Sequence, residues 1–140
     1  MNLMMKFTGL GIALMLSVWA CANNDGNNSA RCDHAKSKTH VVKVTLDEDT
    51  GKPPRVDKDY VVACFEDEIV FEAKGDADFS IKFKRGGSPF GKDLGSSRGK
   101  APGKVIVNPK DDPKFFKYDV VDNAVPKRPV LDPRIIIVPR

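Results

Sequence analysis

Phe79-Ser80-Ile81-Lys82-Phe83 is the stretch on which the fold of this chain turns. Its three large apolar residues share one side of an extended backbone, while Ser80 and Lys82 share the other, because side chains alternate across a strand. Helical spacing does not gather residues two apart on one face. The same period of two recurs on either side of this stretch. Phe116, Tyr118 and Val120 alternate with Lys117 and Asp119, and Val42, Val44 and Leu46 alternate with Val41, Lys43 and Thr45. Further β-rich runs lie at 60–65, 69–73, 105–107 and 135–138. Turn-forming clusters separate them: Asp49-Thr50-Gly51, Glu66-Asp67, Gly75-Asp76, Asp111-Asp112-Pro113, Asp122-Asn123 and Asp132-Pro133. No stretch carries a helical stripe. About seven or eight short strands at this spacing predict one all-β sandwich over residues 40–140. Its core is expected at Phe71, Phe79, Ile81, Phe83, Phe116 and Tyr118. Residues 86–103, with six Gly and two Pro, are expected to form one long irregular loop.

The 140 residues amount to little more than one domain. Hydrophobic residues at 41% and charged residues at 30% exclude a polytopic membrane protein, a collagen and a disulfide-dense scaffold. The totals conceal a join. All four Met and the single Trp lie in the first 20 residues, while all ten Pro lie from Pro53 onward. Residues 1–20 carry one early charge, Lys6, then an apolar stretch and small residues, the pattern of an export signal. Val18-Trp19-Ala20-Cys21 resembles a bacterial lipobox, in which Cys21 is acylated and becomes the mature N-terminus. Ala20-Cys21-Ala22 also fits an ordinary signal-peptidase site with cleavage after Ala22. The first gives a lipoprotein anchored through Cys21, of the outer membrane because Ala22 is not aspartate, facing the periplasm or the cell surface. The second gives a soluble periplasmic chain. Residues 21–39 hold too few large apolar side chains to offset the entropy of ordering and are expected to be a flexible polar tether.

The order of the runs resembles a cupredoxin-like Greek key across about residues 41–138. Asp67-Glu68-Ile69-Val70-Phe71 leads into Phe79-Ser80-Ile81-Lys82-Phe83; a long loop with Pro89-Phe90 follows, then Phe116-Lys117-Tyr118 and a closing Ile135-Ile136-Ile137-Val138. The closing pattern is also similar to that of bacterial envelope proteins, with Leu131-Asp132-Pro133 between an aromatic strand and an Ile/Val run. The resemblance implies a fold and not a function. A blue-copper site needs two His, one Cys and a weak axial ligand. Where copper cupredoxins place the first His this chain has Phe79, and where they place the Cys it has Val120. Its two histidines, His34 and His40, precede or begin the first strand, so no copper and no other cofactor is expected.

Other chemistries are poorly served. Cys32-x-His34 sits in sequence expected to be tether, with His40 at its junction with the first strand, and a flexible segment preorganises ligands badly. Gly86-Gly87-Ser88-Pro89-Phe90-Gly91-Lys92-Asp93 matches the spacing of a phosphate loop, but Asp93 replaces the hydroxyl residue and no helix is expected to follow. Triad hydrolysis needs a histidine on the scaffold, and the carboxylate pairs Asp47/Asp49, Asp76/Asp78 and Asp111/Asp112 fall in turns. The chain is therefore not expected to be an enzyme. Charge is unevenly spread: residues 57–78 hold eight acids against two Lys, and residues 84–104 hold six bases against Asp93. Lys84, Arg85, Lys92, Arg98, Lys100 and Lys104 are the candidate contacts for an acidic protein or an anionic envelope polymer. Nucleic acid is not expected, since only Phe90 accompanies these bases for stacking. Cys32 and Cys64 are expected to form a disulfide once the chain is exported, closing a loop of 33 residues; the alternative is a free Cys32 and a buried Cys64. The function expected is a non-catalytic structural or binding module of the bacterial envelope, and the alternative is a periplasmic metal-handling or electron-transfer protein of cupredoxin type.

Overall fold

The computed structural model describes residue 32 and residues 35–47, 52–125 and 132–140. Residues 1–31, with the signal and Cys21, and His34 lie outside them. The described residues form nine strands and no helix. In chain order these are β1 (Thr39–Thr45), β2 (Arg55–Val56), β3 (Tyr60–Ala63), β4 (Glu68–Glu72), β5 (Phe79–Phe83), β6 (Leu94–Gly95), β7 (Lys100–Lys104), β8 (Lys114–Asp122) and β9 (Arg134–Ile137). One sheet has the order β2-β1-β4-β7, the other β3-β9-β8-β5-β6. The chain passes from sheet to sheet between β2 and β3, β3 and β4, β4 and β5, β6 and β7, and β7 and β8. These crossings bring β1 beside β4 and β3 beside β9 in parallel without any helical connection. The result is an all-β sandwich with the interleaved connections of a Greek key.

Alternation builds the core between the sheets. Val42 and Val44 on β1, Ile69 and Phe71 on β4 and Ala101 on β7 face Phe79 and Ile81 on β5, Phe116, Tyr118 and Val120 on β8, and Ile135 and Ile137 on β9. The Phe71 and Tyr118 rings meet edge to face across the layers, 5.2 Å between centroids, a favoured aromatic geometry. Phe83 is only half-buried and packs against Phe90 at 5.6 Å. Phe83→Ala is accordingly expected to cost about 2 kcal/mol, below the usual range for a fully buried Phe. Lys82→Ala, on the opposite face, should cost under about 0.5 kcal/mol. Equal losses in urea melts of the two variants would contradict the register.

Residues 86–103 are not one irregular loop. They include β6 and most of β7, and Phe90 and Leu94 are buried against the core. Gly103 makes this possible: a Cβ there would lie 2.8 Å from the Phe90 ring and 2.9 Å from Leu94 Cδ1. The strand expected at 105–107 lies instead at 100–104, paired antiparallel with β4. Pro102 is tolerated because β7 is an edge strand. The short strands β2 and β6 were not foreseen from the pattern.

Tyr118 is fully buried and its hydroxyl has no hydrogen-bond partner among the described residues. Burial pushes the phenol far above its ordinary pKa, with Asp57 and Asp59 adding to the effect. An unpaired buried hydroxyl carries a desolvation penalty of about 1–3 kcal/mol. Tyr118→Phe keeps the ring and removes the penalty, so it should leave the melting temperature unchanged or raise it. A fall of several degrees would mean that the hydroxyl is bonded.

Candidate functional site

The most constructed part of the molecule is a buried carboxylate at the end of the sandwich where β1 and β4 begin and β3, β7 and β9 finish. Asp67 closes a tight turn after β3, in which Glu66 takes a positive φ of 70° and Asp67 N–H donates to Cys64 O. Its side chain is fully buried. Oδ1 accepts Lys38 N–H at 2.9 Å; Oδ2 accepts Cys64 N–H at 3.0 Å and lies 2.8 Å from His40 Nε2. Asp67 O accepts Val105 N–H from the end of β7. One residue thus ties together the approach to β1, the end of β3, the start of β4 and the end of β7. His40 is on the rigid scaffold after all: it is the second residue of β1, paired opposite Ile69. The reason it escaped notice is that its partner sits in the acidic run Glu66-Asp67-Glu68, which reads as a solvated turn.

An imidazole held by a carboxylate is also the orienting half of a catalytic triad. Here no hydroxyl or thiol is bonded to His40 among the described residues, and the ring nitrogen that meets Asp67 is Nε2. The pair anchors structure. Beside it, Cys32 and Cys64 form the expected disulfide, with Cα atoms 5.9 Å apart, within the normal bridging range. Cys32 N–H also donates to Pro139 O at 2.9 Å. The thiols are therefore spent on each other, which removes Cys32 as a soft-metal ligand; His34 lies outside the described residues.

The positions that would hold copper do not fit it. Phe79 is fully buried and Val120 nearly so, both within the apolar core. The polar groups nearby are oxygen donors already engaged with one another. Asp78 Oδ1 accepts Asn123 Nδ2–H at 2.7 Å, Asp122 Oδ1 accepts Ala124 N–H at 2.9 Å, and Ser96 Oγ accepts Phe79 N–H at 2.8 Å. No group of three His, Cys, Asp or Glu suited to a metal occurs among the described residues. The phosphate-loop spacing likewise lacks its context: Ser88 Oγ folds back on Lys92 O, and Asp93 Oδ1 accepts Phe83 N–H.

An open cleft of about 380 Å³ on the five-stranded sheet is lined by Asp59, Tyr60, Asp132, Pro133, Arg134 and Ile136. Its Asp132 is drawn down to about 2, first by the hydrogen bond from Lys117, then by that from Lys84. The Lys84 pKa is raised, mainly by Asp132 and then by Asp119. A carboxylate with a depressed pKa contributes above its ordinary range and loses that contribution as pH falls through the lowered value. The cluster is therefore expected to hold through neutral pH and open only near pH 2, which carboxyl chemical shifts of Asp132 in a pH titration would report. An Asp132 midpoint near 4 would contradict it.

The six candidate bases are not brought into one patch. Lys100 pairs with Glu72 at 2.9 Å, and Lys104 stands opposite Glu68 on the β4–β7 ladder. Lys84 lies between Asp119 and Asp132. The acidic and basic segments of the sequence are thus cross-strand neighbours. Arg85, Lys92 and Arg98 are exposed and make no ion pair with a described residue.

No protein family matches the sequence, and no curated protein matches it. Among solved structures the chain is similar to a reduced Cu(I) form of an amicyanin mutant at pH 4, with a TM-score of 0.44 and 9% identity over 75% of this chain and 86% of that one. The strands and the site together define an all-β sandwich whose described residues hold no copper ligand set.

Proposed function

We propose that the protein is an exported, lipid-anchored, non-catalytic structural or binding module of the bacterial cell envelope. The observation that carries this reading is the Cys32–Cys64 disulfide. Such a bond persists in oxidising compartments, and it fastens the sandwich to the segment that leads back to Cys21. Acylation of Cys21 would hold the domain at the outer membrane, with the Cys32 end nearest the lipid. The membrane fraction of a bacterium making the full chain should contain it, with an intact mass that includes acyl chains on Cys21. A soluble chain beginning at Asn23 would overturn the anchoring.

Partner recognition is assigned to Arg85, Lys92 and Arg98, the candidate bases without an internal acid, and to an acidic protein or anionic polymer. Reversing all three charges should weaken retention on envelope material and flatten its salt dependence; unchanged retention would remove them from any interface. The electron-transfer alternative makes a different prediction. It requires an intense visible band on titration with about one equivalent of copper, whereas the binding-module reading requires none.

A further inference from the structure

We propose that the outer face of the five-stranded sheet, at its Cys32 end, rests on the lipid surface to which the chain is anchored; this builds on the anchoring reading above. Three apolar side chains form a row across that face. Val62 on β3 pairs with Ile136 on β9, and Ile136 stands opposite Phe115 on β8. All three lie on the side facing away from the core, where Phe115 is 60% and Val62 41% exposed. Tyr60, 61% exposed, stands two residues before Val62 on the same face. Outward positions on a solvated sheet are ordinarily polar; on β5 and β8 they are mostly so, with Ser80, Lys82, Lys117 and Asp119 there and only the half-buried Val121 apolar besides Phe115.

What covers the row follows from where the chain leads. Cys32 is fixed at the ends of β3 and β9 through Cys64 and Pro139, beside Val62 and Ile136. Cys21 is eleven residues earlier, so a lipid there lies within about 36–40 Å of Cys32 even with the chain fully extended. The apolar row is therefore at the end of the sandwich held closest to the membrane. Its charged surroundings are balanced. Lys114, Lys117, Arg134 and Arg140 border it, Lys117 is paired with Asp132, Arg140 lies 3.8 Å from Glu66, and Asp111 and Asp112 precede Lys114. Apolar and aromatic contact, not charge, drives the docking. Phe115 enters the boundary of headgroups and acyl chains, and Tyr60 lies at the interfacial level where rings with one polar end are favoured.

The mature chain beyond residue 20 holds no Trp, so Phe115→Trp supplies a single reporter at an exposed site. The full chain carrying this change is purified from membranes, and its intact mass is recorded. It is then reconstituted with phosphatidylethanolamine vesicles containing a minority of phosphatidylglycerol. The indole emission should shift to the blue, and nitroxide lipids should quench it, a shallow label more than a deep one. Lys74→Trp, at the opposite end, should show neither effect. An acylated chain whose Phe115→Trp indole remains water-exposed overturns the docking and leaves the anchoring standing. Quenching in a chain without acyl groups upholds the docking and removes the anchoring. A blue shift that grows with protein concentration in the absence of lipid overturns the docking in favour of contact between two copies.

Discussion

Asp67→Ala is expected to be among the most damaging single changes in this protein, at about 3–5 kcal/mol. The carboxylate is the acceptor for Lys38 N–H and Cys64 N–H and meets His40 Nε2 at 2.8 Å. Removing it strands these donors, each at about 1–3 kcal/mol according to how fully it is buried. Asp67→Asn keeps one accepting oxygen and should lose about half. His40→Ala should lose less than Asp67→Ala, because the imidazole is 24% exposed and water can replace part of it. The check is the urea midpoint at constant m-value. A loss below about 1 kcal/mol for Asp67→Ala would mean that water satisfies the stranded donors and the junction is not the fastening described.

Replacing both Cys32 and Cys64 by Ala should cost about 3–4 kcal/mol. Closing a loop of 33 residues raises the free energy of the unfolded ensemble by about 3–4 kcal/mol on the chain-entropy model, by removing its conformational entropy. The loss should appear as a lower urea midpoint, with β3 and β9 still paired in the folded state. Alkylation of denatured, unreduced protein gives an independent count: Cys32 and Cys64 should take up no adduct. Two adducts on these positions, or a double variant as stable as the parent, would contradict the bridge.

The legible parts of this fold were those whose two faces differ chemically. β5 and β8 announced themselves because Phe79, Ile81, Phe116 and Tyr118 all face one layer, and the structure buries each of them. β7 was illegible for a physical reason. Its sequence, Lys-Ala-Pro-Gly-Lys, carries no large apolar side chain, and at Gly103 Phe90 and Leu94 occupy the space where one would have stood. The bases of 84–104 looked like one field because sequence shows neighbours along the chain and not across a ladder; antiparallel pairing set Lys100 and Lys104 against Glu72 and Glu68. The disulfide was legible from the cysteine count taken together with the expectation of export. The Asp67–His40 pair was not, since a buried carboxylate within an acidic run has no composition signal, and only the turn geometry after β3 turns it inward.

The placement of β3 has a consequence for the order in which the molecule is assembled. β3 is an edge strand whose one ladder partner is β9, more than seventy positions later in the chain. If the chain is exported as proposed, N-terminus first, Cys32 and Cys64 would cross well before residues 134–137. For that interval β3 has no strand to join, and long-range parallel pairing is slow to form in any case. Oxidation of the two cysteines in that interval would tie the end of β3 to the segment before β1 and leave the length of chain between β3 and β9 unchanged. On the proposed export route, thiol oxidation would come early and the pairing of β3 with β9 late, when Cys32 N–H can also close on Pro139 O.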